Sequence, residues 1–349
     1  MSKRIFSNHV YRTPSVFAAA ALLVIALVAP ALAQDASVVY LEGNPEHRTA
    51  GGRTNWLDFG TTLAAGDSVV TGRNDFVELE QDAAATIRVN PSTVFTIREV
   101  EQDGRRRQVM SNSTGSVGYR FNRLVGRDEP IIGTSSVVAG VRGTEVTVYA
   151  GANGSSLFLV ETGLVDITAA GETVSLTQNE GVEVPAGGPP GQKFTWLGET
   201  IDYSTWEADQ FAQFLTDPLK GIAGIQMDLY ELAADAREYY GYYQELSAQR
   251  KAAEAKLGEM KDQEFLTYRG EVVIPLQQQA RISVLNYRYY ALSALSLRRH
   301  VLGKMFVEMK TRYIMDRDNP LYRQYADKHA EILRVFEDQV VPYLVTADI

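Results

Sequence analysis

The chain divides into a β half and a helical half, because the spacing of its apolar residues changes near residue 190. In the first half, alternation such as Phe76-Val77-Glu78-Leu79-Glu80 is typical of half-buried antiparallel strands. Turn-forming residues separate these runs, and the spacing predicts an antiparallel β sandwich or roll. The predicted strands are Val38–Leu41, Ser68–Thr71, Phe76–Leu79, Thr86–Val89, Thr93–Arg98, Glu145–Tyr149, Ser156–Val160 and Leu164–Thr168.

The second half follows Ala186–Gly191, a glycine- and proline-rich stretch with the composition of a linker. Ser204-Thr205-Trp206-Glu207 predicts a capping box, in which the serine caps a helix and the glutamate reaches back. Asp217-Pro218 and Asn319-Pro320 each predict an N-cap followed by a proline, whose missing N–H costs nothing at that position.

Apolar residues at steps of three and four predict long helices after these caps. Gly270 and Pro275 interrupt the pattern, so we expect one long helix before them and another after them. Long helices joined by short breaks predict an antiparallel hairpin or bundle. The expected inward positions are Ile222, Ile225, Leu229, Leu232, Ala236, Tyr239, Tyr243, Leu246, Arg250, Ala253, Leu257 and Met260, then Ile282, Leu285, Tyr289, Leu292, Leu302, Met305, Met309 and Tyr313, and finally Leu321, Tyr325, Ile332, Phe336 and Val340.

Residues 1–33 have the three parts of a secretory signal. A basic start precedes the apolar run Val16–Val28, and Ala31-Leu32-Ala33 supplies a small-residue cleavage site before Gln34. We therefore expect a periplasmic or secreted bacterial protein. If the segment is not cleaved, it is instead an inner-membrane anchor; once it is cleaved, no membrane span is expected.

Composition narrows the possible chemistry. The chain has no cysteine, which excludes disulfides, thiolate metal sites, a cysteine nucleophile and a lipoprotein anchor. Its net charge is −9, and both halves are acidic, which argues against nucleic acid as a partner. No phosphate loop, dinucleotide fingerprint or nucleophile elbow is present. We therefore predict no catalytic residues, no cofactor and no metal site.

Four elements of the β half carry a resemblance to the FecR domain family. They are Leu63–Thr71, Gly115-Ser116-Val117, Val138–Val146 with its Val-Arg-Gly-Thr core, and Val160–Val165. Residues of about 36–187 are thus similar to a β-rich extracytoplasmic domain, which the resemblance implies is used for sensing or protein contact. The helical half is unlike the family's membrane-bound regulators, so the resemblance implies the domain and not their iron-siderophore pathway.

The predicted domains follow from these boundaries. They are a signal peptide at 1–33, a FecR-like β domain at 34–187, a linker at 188–202 and an α-helical domain at 203–349.

Three groups of residues are candidate interaction sites. Arg142-Gly143-Thr144 either presents a guanidinium to a carboxylate or holds a neighbouring strand, with the glycine allowing a bend. Arg105-Arg106-Arg107 either docks an acidic surface or is a solvated run at the start of a strand. Tyr240 and Tyr242 either bind a partner or line the bundle, and at least one of them is expected to be partly exposed.

Three functions remain open. The favoured one is a binding or signalling module of the cell envelope, with an envelope protein or a cell-wall glycan as partner. The second is a structural or assembly protein whose helices form a homo-oligomer. The third is an unrecognised glycan hydrolase, because two carboxylates can meet in space without a sequence motif.

Overall fold

The computed structural model describes residues 36–50, 53–81, 85–102, 105–122 and 130–345. The predicted signal segment lies outside the described residues, as do Asp103 and Gly104. From Asp35 onward the chain forms one compact unit, in which strands precede helices. The predicted order of a β domain followed by a long antiparallel helical part is confirmed.

Fifteen strands occupy residues 36–195 of the described chain. In chain order they are β1 (Ala36–Glu42), β2 (Glu46–Arg48), β3 (Thr54–Trp56), β4 (Thr62–Leu63), β5 (Ser68–Val70), β6 (Phe76–Gln81), β7 (Ala85–Val89), β8 (Val94–Gln102), β9 (Arg105–Phe121), β10 (Ile131–Gly133), β11 (Val138–Ala150), β12 (Ser156–Ala169), β13 (Glu172–Thr177), β14 (Glu180–Val184) and β15 (Phe194–Thr195).

The long strands β9, β11 and β12 each belong to two layers of the sheet. One layer runs β3-β2-β5-β8-β9-β10-β11-β12-β13, and the other runs β4-β1-β6-β7-β9-β11-β12-β14-β15. Strands that cross between layers at bends are typical of a folded sandwich. The side chains between the layers form one apolar core that includes Val69, Phe95, Val117 and Phe158.

Two strand predictions differ from the structure. Ser156–Val160 and Leu164–Thr168 belong to one strand, β12, because Gly163 bends the chain without ending it. The centre of β9 was not predicted at all, since it is polar. Asn112 is fully buried there, and its side-chain N–H groups donate to the carbonyls of Gly115 and Val148, both at 3.2 Å. These bonds reduce the cost of burying the Asn112 amide, whose Oδ1 is buried without a hydrogen-bond partner among the described residues.

The helices occupy residues 203–345. They are α1 (Tyr203–Thr216), α2 (Pro218–Leu257), α3 (Asp262–Tyr268), α4 (Ile274–Leu297), α5 (Gly303–Arg312), α6 (Pro320–Gln339) and α7 (Val341–Val345). Two π-helical turns, Arg269–Val273 and Arg298–Leu302, join α3, α4 and α5 into one helix of 51 residues.

The expected helix break at Gly270 and Pro275 is wrong. The chain turns earlier, after Leu257, and the second helix runs through both residues. In the first π turn the Ile274 N–H donates to the carbonyl of Arg269, five residues back. We infer that this wider turn makes room for a proline, which has no N–H of its own to donate.

The expected inward face of the second helix is only partly correct. Leu302, Met305 and Met309 are buried, but Leu292 is 37% exposed. Alanines at 291 and 294 are fully buried instead, because small side chains let α4 pack closely against α2. The face carrying Tyr289 lies on the β half, beside β8. The apolar pattern in the sequence marks a single face of this helix, whereas the structure covers two faces, one by α2 and one by β8.

The helix caps agree with two of three predictions. The carboxylate of Asp217 accepts from the Lys220 N–H at 3.1 Å, and the Asn319 side chain accepts from the Leu321 N–H at 3.0 Å. The predicted serine cap of α1 is wrong, because Asp202 occupies the N-cap and accepts from the Thr205 N–H at 2.9 Å.

Candidate interaction sites

The element Arg142-Gly143-Thr144 lies at the corner where β11 crosses between layers. Gly143 has a φ of +54° and the facing Gly163 has +89°, conformations that favour glycine. A Cβ on Gly163 would lie 2.5 Å from the Gly143 carbonyl oxygen, so the two backbones touch. The buried Thr144 hydroxyl donates to the Leu164 carbonyl at 2.9 Å. Gly143 and Thr144 thus shape the corner, while the Arg142 side chain lies outside the described part.

A polar groove of about 200 Å³ lies beside this corner on β7, β9, β11 and β12. Glu145 pairs with Arg120 there, with 3.0 Å between Oε1 and Nε. Burial, and then repulsion by Glu145, raises the pKa of Glu161 against the opposing effect of Arg120 and Arg88. The groove therefore brings carboxylates and guanidinium groups together in balanced numbers, which gives it little net charge.

Arg105-Arg106-Arg107 opens β9, which pairs with β8. Arg106 lies opposite Glu101 on β8, and Arg107 lies opposite Val100. The side chains of Arg105 and Arg106 lie outside the described part, and that of Arg107 is half-buried. This placement agrees with a run at the start of a strand; a docking role for it stays a prediction.

The predicted tyrosines lie on α2 but have different surroundings. The ring of Tyr240 contacts those of Tyr287 and Tyr343, at centroid distances of 5.4 and 5.1 Å, and is half-buried. Tyr242 is 48% exposed, and its hydroxyl donates to Glu238 at 3.0 Å. Tyr242 is therefore the exposed tyrosine of this pair.

A groove of about 300 Å³ runs between α2 and α4 beside this tyrosine. Its apolar lining comes from Tyr242, Leu246 and Ile282. Its polar lining comes from Glu245, Gln249, Gln279 and Ser283. An apolar centre with a polar rim is the usual composition of a protein–protein contact surface.

Arg98 marks a further site that sequence reasoning missed. It lies on the polar side of β8, opposite the buried Phe95 and Ile97, yet it is only 7% exposed because α4 covers it. Its guanidinium donates to the hydroxyls of Ser293 and Ser296 and lies 5.8 Å from the centre of the Tyr289 ring. Burial lowers the pKa of Arg98. The sequence signal for this site was the pair Ser293 and Ser296, which are three residues apart and therefore lie on one face of the helix.

Within the described ranges, no group of three or more histidine or acidic side chains is placed to hold a metal ion. No helix of the described chain combines the length and hydropathy needed to cross a bilayer.

Comparison with known proteins adds little to this geometry. No family model matches the chain, and no curated protein matches it. Two crystal structures of a putative anti-sigma factor from Parabacteroides distasonis are similar to part of it, at 17% and 18% identity and a TM-score of 0.32. In each case the match covers 37% of this chain and 59% of that chain. A likeness this weak carries no argument about function.

Proposed function

We propose that this protein is an exported, non-catalytic binding or signalling module of the bacterial cell envelope, with a FecR-type β domain at 34–187 and a helical domain at 203–349. The observation that carries the proposal is the groove beside Tyr242. It is open, it has an apolar floor and it lies between two long helices. An amphipathic helix of an envelope protein is the kind of ligand that such a groove accepts.

The positions that resemble the FecR family support the identity of the β domain. Asp67 accepts from the backbone N–H groups of Ala50 and Ala64, at 2.9 and 3.2 Å, and so fixes a turn. Gly143 supplies the corner of β11. These residues are needed for the fold of the domain, which explains why a sequence pattern of this kind would include them.

The test is a quantitative pull-down from bacterial envelope extract with the chain lacking residues 1–33. Tyr242→Ala and Ile282→Asp should each reduce the captured partner at least about tenfold, because both residues line the groove. Tyr40→Ala is the matched control, since Tyr40 is also 48% exposed and also donates to a glutamate, but lies on β1.

Equal capture by Tyr242→Ala and the unchanged chain would place recognition elsewhere. Loss of capture with Tyr40→Ala alone would assign partner recognition to the β domain. Hydrolysis of a glycan that a single Asp or Glu substitution abolishes would overturn the non-catalytic assignment.

Self-assembly through the helices is the second candidate. Leu266 is 59% exposed and Ile274 is 38% exposed near the turn that joins the two long helices, and exposed apolar side chains favour association. Light scattering should then show a dimer or larger species that Leu266→Asp dissociates. A monomeric mass for the unchanged chain at high concentration would exclude this candidate.

A further inference from the structure

One face of α2 carries a row of carboxylates. Between residues 230 and 249 the acidic side chains are four, three and seven residues apart, a spacing that places them on the same side of a helix. The cation in this range, Arg237, lies on another side, where it donates to the Gln339 side chain of α6 at 2.7 Å. We call the row the acidic stripe, and its members are Glu231, Asp235, Glu238 and Glu245.

The acidic stripe is not neutralised by the rest of the described chain. Burial, and then repulsion by Glu238 and Glu231, raises the pKa of Asp235, so these carboxylates act on one another. No cation of the described residues forms an ion pair with any of the four. Further along the same helix Glu254 does have such a partner, Arg250, at 3.7 Å. Like charges three or four residues apart destabilise a helix, so the stripe has a cost within the isolated chain.

The acidic stripe runs directly into the groove beside Tyr242. This tyrosine lies on the same face, between Glu238 and Glu245, and its hydroxyl donates to Glu238 at 3.0 Å. Glu245 itself lines the groove, together with Leu246 and Ile282. Among the described residues that line the groove there is no cation. One continuous surface therefore combines an open apolar groove of about 300 Å³ with a row of carboxylates along its α2 side.

We propose that the occupant of this groove is a basic amphipathic helix, whose apolar face fills the groove and whose lysine or arginine side chains lie along the acidic stripe. This proposal rests on the function proposed above and adds the charge of the partner. An apolar groove alone accepts many amphipathic helices. The stripe attracts a basic helix and repels an acidic one, so it supplies the selectivity that the groove lacks.

A second copy of this chain fits the surface less well. Two copies that docked symmetrically through the same face would bring two acidic stripes together. Like charges that face each other across an interface oppose association. The charge of the stripe therefore favours a different, basic partner over self-association at this groove.

The test uses two synthetic helical peptides of about 18 residues with the same face of leucines, one with lysine and one with glutamate at its polar positions. The protein is the chain lacking residues 1–33, which keeps the compact unit whole. Fluorescence anisotropy should show saturable binding of the lysine peptide and at least about tenfold weaker binding of the glutamate peptide. Added sodium chloride should reduce this difference, because salt screens exposed charges.

The decisive variant combines Glu238→Gln with Glu245→Gln. It should weaken binding of the lysine peptide about tenfold, because it removes two charges of the stripe. Glutamine keeps an acceptor for the Tyr242 hydroxyl, so the shape of the groove is retained. The matched control combines Glu308→Gln with Glu337→Gln, which makes the same change in net charge at exposed helical positions outside the groove.

Three results would overturn the basic partner. Equal weakening by the control pair would show attraction to the net charge of −9 alone, and equal affinity for the two peptides would show no selection by charge. A dimer in light scattering that Tyr242→Ala dissociates would identify a second copy as the occupant. In the envelope pull-down, loss of capture with Tyr242→Ala but not with the Glu238 and Glu245 double variant would retain the proposed function and exclude a basic partner.

Discussion

The two ends of the helical hairpin share one sequence pattern but differ in burial. At the end near the sheet, Ile222, Ile225 and Leu229 of α2 are fully buried against α4, α5 and α6. From residue 244 to 279 only Ala253 and Val273 are buried. Periodicity therefore predicts that a helix forms, but the number of elements that cover it decides how much its inward face contributes to stability.

A leucine truncation at each end tests this difference most directly. Leu229→Ala should lower the free energy of unfolding by about 2–5 kcal/mol, because Leu229 is fully buried. Leu257→Ala, at a half-buried position of the same helix, should cost less than about 1 kcal/mol. Urea unfolding followed by circular dichroism measures both, and equal costs would contradict the comparison.

The end of the helical hairpin near the sheet also holds a carboxylate, Asp228, that is largely shielded from water. Burial, and then repulsion by Glu231, raises the pKa of Asp228 to about 7, and its Oδ2 has no hydrogen-bond partner in the described structure. The folded protein therefore binds more protons than the unfolded chain between about pH 4 and pH 7. Stability from this group is greatest below that window and falls as the pH rises through it.

Asp228→Asn should remove this pH dependence. We expect it to stabilise the protein at pH 8 by on the order of 3 kcal/mol, with almost no effect at pH 4. Glu245→Gln, at an exposed position near the distal end, is the control and should change stability little at either pH. Chemical denaturation at pH 4 and pH 8 measures these effects. An equal change in stability at the two pH values would contradict a raised pKa of Asp228.

Two glycines of α2 should respond in opposite directions. A Cβ on Gly224 would lie 2.8 Å from the Cα of Gly187 and 3.0 Å from the Ala186 carbonyl oxygen, so Gly224→Ala should cost about 1–3 kcal/mol. Gly241 has open space around it, and Gly241→Ala should stabilise the helix by about 0.5–1 kcal/mol. Thermal unfolding of both variants gives the signs.

The smallest expected effect concerns the start of α1. Asp202→Ala should cost about 1 kcal/mol, since it removes the N-cap. Ser204→Ala, at the cap position that the sequence pattern suggested, should change stability by less than about 0.5 kcal/mol. The reverse order in chemical denaturation would restore the predicted capping box.

Sequence reasoning found the parts that depend on local chemistry. The caps at Asp217 and Asn319 and the alternating strands are confirmed because each depends on neighbours within a few residues. The polar centre of β9 and the buried face around Arg98 were missed, since both are covered by segments remote in the sequence. Partial exposure was expected for Tyr240 or Tyr242, and Tyr242 is the exposed one. The groove beside it requires α4, whose inward face the pattern predicted only in part.

The shared strand β9 also has a consequence for the order of folding. Its first half pairs with β8, the strand directly before it in the chain, whereas its second half pairs with β7 and β11, each some thirty residues away along the chain. Pairing two strands that are neighbours in the chain costs less chain entropy, so β8 and β9 should pair early and act as a template. Entry of β9 into the second layer depends on pairing with strands more distant in the chain, β7 and β11, which makes completion of the sandwich the slower step.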